Sequence, residues 1–196
     1  GKIVPVYILE DQIGEAKGQT PSGLQQTYAM GGATKLWLHY ALSSLQSDLQ
    51  DRLILRRGSA EHILGELIDE TGAQQVTMTR CYAPHQLETD RNIQQKLKEK
   101  GVKVTVETGN LLWEPEQITK QDGTPYKVFT PFYRRGCLAA EPPRQPLPPA
   151  NIEFFTEKDI RSLTIEALDL KPSQNWTDEV ASNWDISETG AKTALQ

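Results

Sequence analysis

Four short runs, IVPVYIL (3–9), RLILRRG (52–58), QQVTMT (74–79) and VKVTVE (102–107), alternate with stretches of helical periodicity. No other feature constrains the fold as much. Strands that alternate with helices pair in parallel, and their right-handed crossovers lay helices on both faces of the sheet. IVPVYIL is nearly continuous in apolar residues, as a strand buried on both faces requires. A glycine-rich polar loop follows at 14–32. ATKLWLHYALSSLQSDLQ then places Leu38, Ala41, Leu42, Leu45 and Leu49 on one helical stripe. SAEHILGELIDETG (59–72) predicts a second helix with Ile63, Leu64, Leu67 and Ile68 inward, Ser59 as N-cap and Gly72 just past its end. A third helix over 86–100 carries Ile93 and Leu97 and stops at Gly101. The expected fold is α/β, with a Rossmann-like, doubly wound parallel sheet.

After residue 107 the rhythm breaks. TGNLLWEPEQI (108–118) reads as a loop with a hydrophobic plug, and 130–140 as a short helix or turn. Residues 141–149 (EPPRQPLPP) read as an extended linker. Beyond them, 150–196 is a polar, acidic, irregular or helical connector with Trp176 and Trp184 as its large anchors. The expected division is therefore an α/β domain at 1–140 and a linker-connector at 141–196. No apolar run is long enough for a membrane span, and none is shaped like a signal peptide. Cys81 and Cys137 lie far apart in no metal-ligand spacing, so no metal site is expected and a reducing cytoplasm is the default compartment. A net charge of −5 does not advertise a phosphate-binding surface over the chain as a whole.

Six segments carry a family resemblance by their order and spacing: VPVYILED (4–11), GGATKLWLHYALSSLQSDL (31–49), LILRRGSAEHIL (53–64), RCYAP (80–84), GNLLWEP (109–115) and GTPYKVFTPFYRR (123–135). Together they resemble the N-terminal α/β domain of the DNA photolyase/cryptochrome family. NWDISETGA (183–191) is similar to the family segment that enters a helical domain. The resemblance covers nearly the whole chain. It implies that a helical partner domain holds FAD and repairs UV-induced pyrimidine dimers with light, a carbon–carbon lyase reaction. Damaged DNA would be met only through that domain, so no catalytic residue is expected here. It also implies that the family's first strand is missing from the middle of the sheet, which exposes strand edges and favours self-association. Two alternatives stay open: a cryptochrome-like blue-light photoreceptor, and a non-catalytic nucleotide-binding or interaction module.

In this family the α/β domain often carries an antenna chromophore, a reduced folate or a deazaflavin. Such a ring needs apolar walls and a few orienting polar groups, and the carboxyl ends of the strands supply a crevice for it. The candidates there are Glu10 and Asp11 after the first strand, Arg80, Cys81 and Tyr82 after the third, and His85 and Gln86 opening the next helix. That helix N-terminus also offers free backbone N–H groups. The chain departs from the family pattern at Ala83, where relatives often have an acidic residue, and at His85-Gln86, where one folate-binding branch has Asn-Glu. Phe129 and Phe132, on either side of Pro131, are expected to close the α/β domain by packing.

Overall fold

The structure is a computed structural model that describes residues 1–10, 30–145, 147–148, 150–173 and 176–196, with the side chain of His85 excepted. The chain forms two compact units, Gly1–Ala73 with Ile152–Gln196, and Gln74–Asn151.

In the first unit, strand β1 (Val6–Leu9) pairs in parallel with β2 (Ile54–Arg57), Val6 opposite Ile54 and Leu9 opposite Arg57. Helix α1 (Gly32–Asp48) connects them, and α2 (Ala60–Thr71) follows β2. Gly72 ends α2 at φ 72°, a left-handed conformation that suits a residue without Cβ. The helix boundaries thus fall where the sequence places its cap and stop.

The core of this unit joins Leu9, Leu42, Leu53 and Leu55 to Ile165, Leu168 and Leu170 from the far end of the chain. Leu55 and Leu168 are almost wholly buried, and burial of such side chains contributes about 1.5–3 kcal/mol each. Two details differ from the sequence expectation. On α1 the most buried residue is Leu36, while Leu45 is 41% exposed. In the acidic connector the leucines and Ile165 are the anchors, whereas Trp184 is 62% exposed and meets Trp37 edge-on, 5.7 Å between ring centres. A 3₁₀ turn at Glu166–Leu168 and left-handed Asp169 bend the segment between its apolar residues, so they carry no helical or strand period.

The same segment closes the outer edge of β2. The Leu55 N–H donates to Ser162 Oγ at 2.9 Å, and the Leu163 N–H donates to the Leu55 carbonyl at 2.9 Å. A hydroxyl and one peptide group therefore replace a neighbouring strand, as buried backbone polar groups require. Upstream of β1, Ile3 bridges Phe154 in parallel. The bonds from Ile54 N–H to the Pro5 carbonyl and from Gly58 N–H to the Leu9 carbonyl turn the odd-numbered backbone groups of β1 toward β2. Those of Val6 and Ile8 point the other way, along an edge with no strand partner among the described residues.

In the second unit, β3 (Gln75–Thr79) pairs in parallel with β4 (Lys103–Glu107), joined by α3 (Pro84–Glu99). α3 packs on β4, with Ile93, Leu97 and Val102 buried. Pro84 occupies the first turn, where its missing N–H costs nothing. The loop after β4 contains a 3₁₀ turn, Pro115–Gln117, and Trp113 Nε1 donates to the Glu141 carbonyl at 2.8 Å. The expected plug is only partly one: Ile118 is buried, but Leu111 and Leu112 are 45% and 71% exposed. Farther on, α4 (Phe129–Pro131) runs into a π turn at Phe132–Gly136 and a 3₁₀ turn at Cys137–Ala139. Phe129 is 72% exposed, so the aromatic segment turns part of its apolar surface outward, while Phe132 meets Tyr126 edge-on.

Candidate functional site

The most organised polar group among the described residues of the second unit stands at the carboxyl ends of β3 and β4. Arg80 directly follows β3, and its N–H donates to the Glu107 carbonyl at 2.9 Å, prolonging the strand pairing. Its guanidinium reaches two carboxylates, Nη1 to Glu114 Oε2 at 2.5 Å and Nη2 to Glu116 Oε1 at 2.8 Å. The Tyr82 hydroxyl donates to Glu114 Oε1 at 2.6 Å, and the guanidinium lies 5.4 Å from the centre of the Tyr82 ring. Both Glu114 oxygens are thus engaged, and its side chain is largely shielded from solvent, 15% exposed. Charge-assisted bonds of this kind are the stronger ones in proteins and fix geometry as well as charge.

Glu114 is placed by its own turn. The Gln117 N–H donates to the Glu114 carbonyl, and a capping box links Glu114 and Gln117 reciprocally, the Glu114 N–H donating to Gln117 Oε1 at 2.7 Å. In the sequence WEPEQ reads only as part of a loop, and Glu114 and Glu116 are not among the residues it singles out. The signal was present in the acidic residues flanking Pro115 and in Gln117 three positions after Glu114.

The electrostatics follow from these contacts. The hydrogen bond from Arg80 holds Glu116 below the usual carboxylate range, and that to Glu116 raises Arg80 in turn. Hydrogen bonding to Glu114 raises Tyr82 above the ordinary phenol value, so it remains a neutral donor at pH 7. Burial, and then Asp90, raise the Cys81 thiol, which therefore stays protonated; its Sγ lies 3.9 Å from the Thr79 carbonyl. Arg80 against Glu114 and Glu116 leaves the group with one net negative charge.

The structure thus brings Arg80 and Tyr82 together through Glu114, with Cys81 between them in sequence and half-buried, and places Gln86, half-buried, in the first turn of α3. Glu10 belongs to the first unit and does a different job. Its Oε1 accepts the Ala60 N–H at 3.1 Å, capping α2. Asp11 lies outside the described residues, and so does the side chain of His85. For a chromophore at this end of the second unit, the donor set fits a neutral heterocycle rather than an anion. The Arg80 charge is already matched twice, while the Gln86 amide carries both donors and an acceptor. Among the described residues, no cluster of His, Cys, Asp and Glu could hold a metal ion, and no helix is long and apolar enough to cross a membrane.

Comparison with known proteins gives a consistent picture. The family model described as DNA photolyase matches residues 1–151. A deoxyribodipyrimidine photo-lyase of Agrobacterium fabrum is 35% identical over 200 aligned positions, which take in 100% of this chain and 38% of that protein. Cryptochrome-2 of Arabidopsis thaliana is 28% identical over 153 positions, 76% of this chain and 23% of that protein. Among solved structures, a bacterial class III photolyase from Agrobacterium tumefaciens superposes with a TM-score of 0.85 at 34% identity, covering 100% of this chain and 38% of that one. The chain therefore spans well under half the length of the photolyases it matches.

Proposed function

The chain belongs to the DNA photolyase family, and on that premise we propose that it is the N-terminal, antenna-holding portion of a deoxyribodipyrimidine photolyase. The observation that carries this reading is the match to the Agrobacterium fabrum photo-lyase, 35% identical across the whole of this chain. In this account light-driven splitting of pyrimidine dimers takes place in a helical, FAD-binding portion that is the partner of this one. Damaged DNA meets the protein there, with the lesion turned out of the duplex.

This portion holds a light-collecting ring, a reduced folate or a deazaflavin, that when bound passes its excitation to the flavin. Gln86 and His85 in the first turn of α3 hydrogen-bond the edge of the ring, and the backbone N–H groups there add fixed donors. Cys81 and the Arg80–Tyr82–Glu114 group form a rigid wall, already hydrogen-bonded within itself, that needs no rearrangement when the ring arrives. Its net negative charge turns any anionic tail of the chromophore away from Glu114 and Glu116. Glu10 acts as a helix cap within the first unit.

The test is an action spectrum. This chain replaces the matching segment of the Agrobacterium photo-lyase, and dimer repair is followed against excitation wavelength after loading with each chromophore. The reading expects repair to follow the added near-ultraviolet or blue band as well as the flavin. A chimera that binds flavin and repairs dimers with no contribution from either chromophore overturns the antenna role. The cryptochrome reading is favoured by the 28% identity to Arabidopsis cryptochrome-2. It would be supported by a chimera that binds flavin and chromophore but repairs nothing.

A further inference from the structure

Helix α1 carries apolar residues on two faces. Leu36 and Leu42 are buried, whereas Trp37, Ala41 and Leu45, each four positions apart, form a second stripe along the helix. On that stripe Trp37 is 44% and Leu45 41% exposed, and neither belongs to the core around Leu42 and Leu55. The surface that meets it comes from the far end of the chain, within the same unit. After the 3₁₀ turn at Glu166–Leu168 stand two short helices, α5 (Trp176–Asn183) and α6 (Glu188–Ala194), and the link at 184–187 joins them. Between the stripe, the link and α6 lies a cleft of about 480 Å³. That volume is within the roughly 300–1,000 Å³ of small-molecule sites.

Two indoles make its corner. Trp37 and Trp184 both line the cleft, with ring centres 5.7 Å apart and planes at 66°, so they present two walls at an angle. Trp184 is 62% exposed and leaves ring surface for a ligand. Ala41, Leu45 and Ile186 add apolar surface, while Asp48, Asp185 and Glu188 supply carboxylates, and no Lys or Arg is among the described residues that line the cleft. Glu188 is matched by Lys192 at 2.6 Å. Among the described residues no ion pair engages Asp48 or Asp185. Asp48 is the last residue of α1, so the negative end of the helix dipole reinforces its charge. The link is held in place: Ser187 Oγ donates to Asp185 Oδ1 at 2.6 Å and accepts the Gly190 N–H at 2.9 Å, capping α6. Gly190 lets Asp185 close on that helix, because a Cβ there would lie 2.6 Å from Asp185 Cγ.

We propose that this cleft binds a small organic cation of the quaternary ammonium class. The ring faces of Trp37 and Trp184 attract positive charge through their quadrupoles, and Trp is the strongest of the aromatic side chains in this respect. Asp48 and Asp185 supply the balancing negative charge without a competing cation of the protein's own. The apolar surface decides between kinds of cation. A primary ammonium has three N–H donors that Ala41, Leu45 and Ile186 cannot satisfy, whereas a quaternary ammonium has none and gives up little on leaving water. An anion is excluded by the carboxylates, and a neutral apolar molecule would make no use of them. The site rests on neither the antenna role nor dimer repair.

The test is titration of the ¹⁵N-labelled chain with choline and, separately, with its neutral isostere 3,3-dimethylbutan-1-ol, followed through the indole N–H resonances of the four tryptophans. With choline the Trp37 and Trp184 resonances should shift and saturate in the millimolar range, while those of Trp113 and Trp176 stay in place. The neutral isostere should bind about 5- to 30-fold more weakly. Trp184→Leu keeps an apolar side chain but removes the ring quadrupole. It should weaken choline about 5-fold or more and change the isostere by less than about 2-fold. Trp184 is largely exposed, and circular dichroism confirms that the variant is folded. Asp48→Asn, at the end of α1, is the milder variant: it should weaken choline about 2-fold and lessen the salt dependence of binding. Equal affinity for choline and its isostere overturns the proposal, as does full choline affinity in both folded variants. A shift that never saturates, or one confined to Trp113 and Trp176, overturns it as well.

Discussion

Glu10 Oε1 accepts the backbone N–H of Ala60 at 3.1 Å, so a residue at the end of β1 caps the helix that follows β2. Ser59 occupies the N-cap position of that helix but makes no side-chain capping bond. The carboxylate therefore satisfies a free N–H of the first turn and places negative charge at the positive end of the helix dipole. Glu10→Ala should lower stability by about 0.5–2 kcal/mol, the usual range for a lost cap. Glu10→Gln should recover part of that loss. Urea denaturation of the three proteins checks the order, and an unchanged midpoint in Glu10→Ala would remove the cap from the account.

His39 makes stability depend on pH near neutrality. Its Nδ1 is buried with no hydrogen-bond partner among the described residues, and burial lowers the imidazole pKa more than Glu166 raises it; Lys171 adds to the lowering. The folded state thus binds fewer protons than the unfolded chain just below pH 6.5. Stability from this residue is present above that value and is lost as pH falls through it toward the folded pKa. The effect should be small, since the ring is partly solvated. Thermal melts between pH 8 and 5.5 should show a downward slope that His39→Gln reduces, and an identical slope in the variant would contradict this.

Gly136→Ala should destabilise the second unit by about 1–3 kcal/mol, the usual cost of overpacking. The added methyl meets the Cγ2 methyl of Ile118, buried at 7% exposure and held on a branched Cβ that leaves the side chain little freedom to swing aside. Gly101→Ala supplies a comparison, because it has open space around its Cβ but a left-handed φ of +76°. It should lose stability through backbone strain alone. A Gly136→Ala protein as stable as the parent would refute the close packing of Ile118 and Tyr126 on this turn.

The open edges of β1 and β3 predict association. Each strand pairs on one side only among the described residues, and a row of unpaired peptide groups is a template for another chain. Analytical ultracentrifugation should show mass rising with concentration. Val6→Pro removes an N–H that points away from β2, at the first residue of the strand where proline is tolerated, and should reduce association without breaking the β1–β2 pairing. A strictly monomeric parent chain at high concentration would contradict this.

The elements up to Glu107 were legible because each has one simple period, and even Gly72 and Gly101 marked their helix ends as expected. Legibility failed where tertiary contacts replace periodicity. Ile165, Leu168 and Leu170 are anchors because a turn at Asp169 aims them at the same core, and nothing local in the sequence distinguishes them from the exposed Trp184. At the candidate site, RCY reads as the end of a strand, but its partners Glu114 and Glu116 lie more than thirty residues on. Their role depends on a capping box that closes only in the folded loop. Glu10 stands out in the sequence only by its place after a strand, and the bond to Ala60 gives that place a structural purpose.

The most direct measurement is the absorption spectrum of the purified chain after incubation with a reduced folate or with a deazaflavin and removal of unbound ligand. A near-ultraviolet or blue band should be retained with one of the two, weakened by Gln86→Leu and kept by Glu10→Gln. A folded chain that retains neither chromophore would contradict the antenna role.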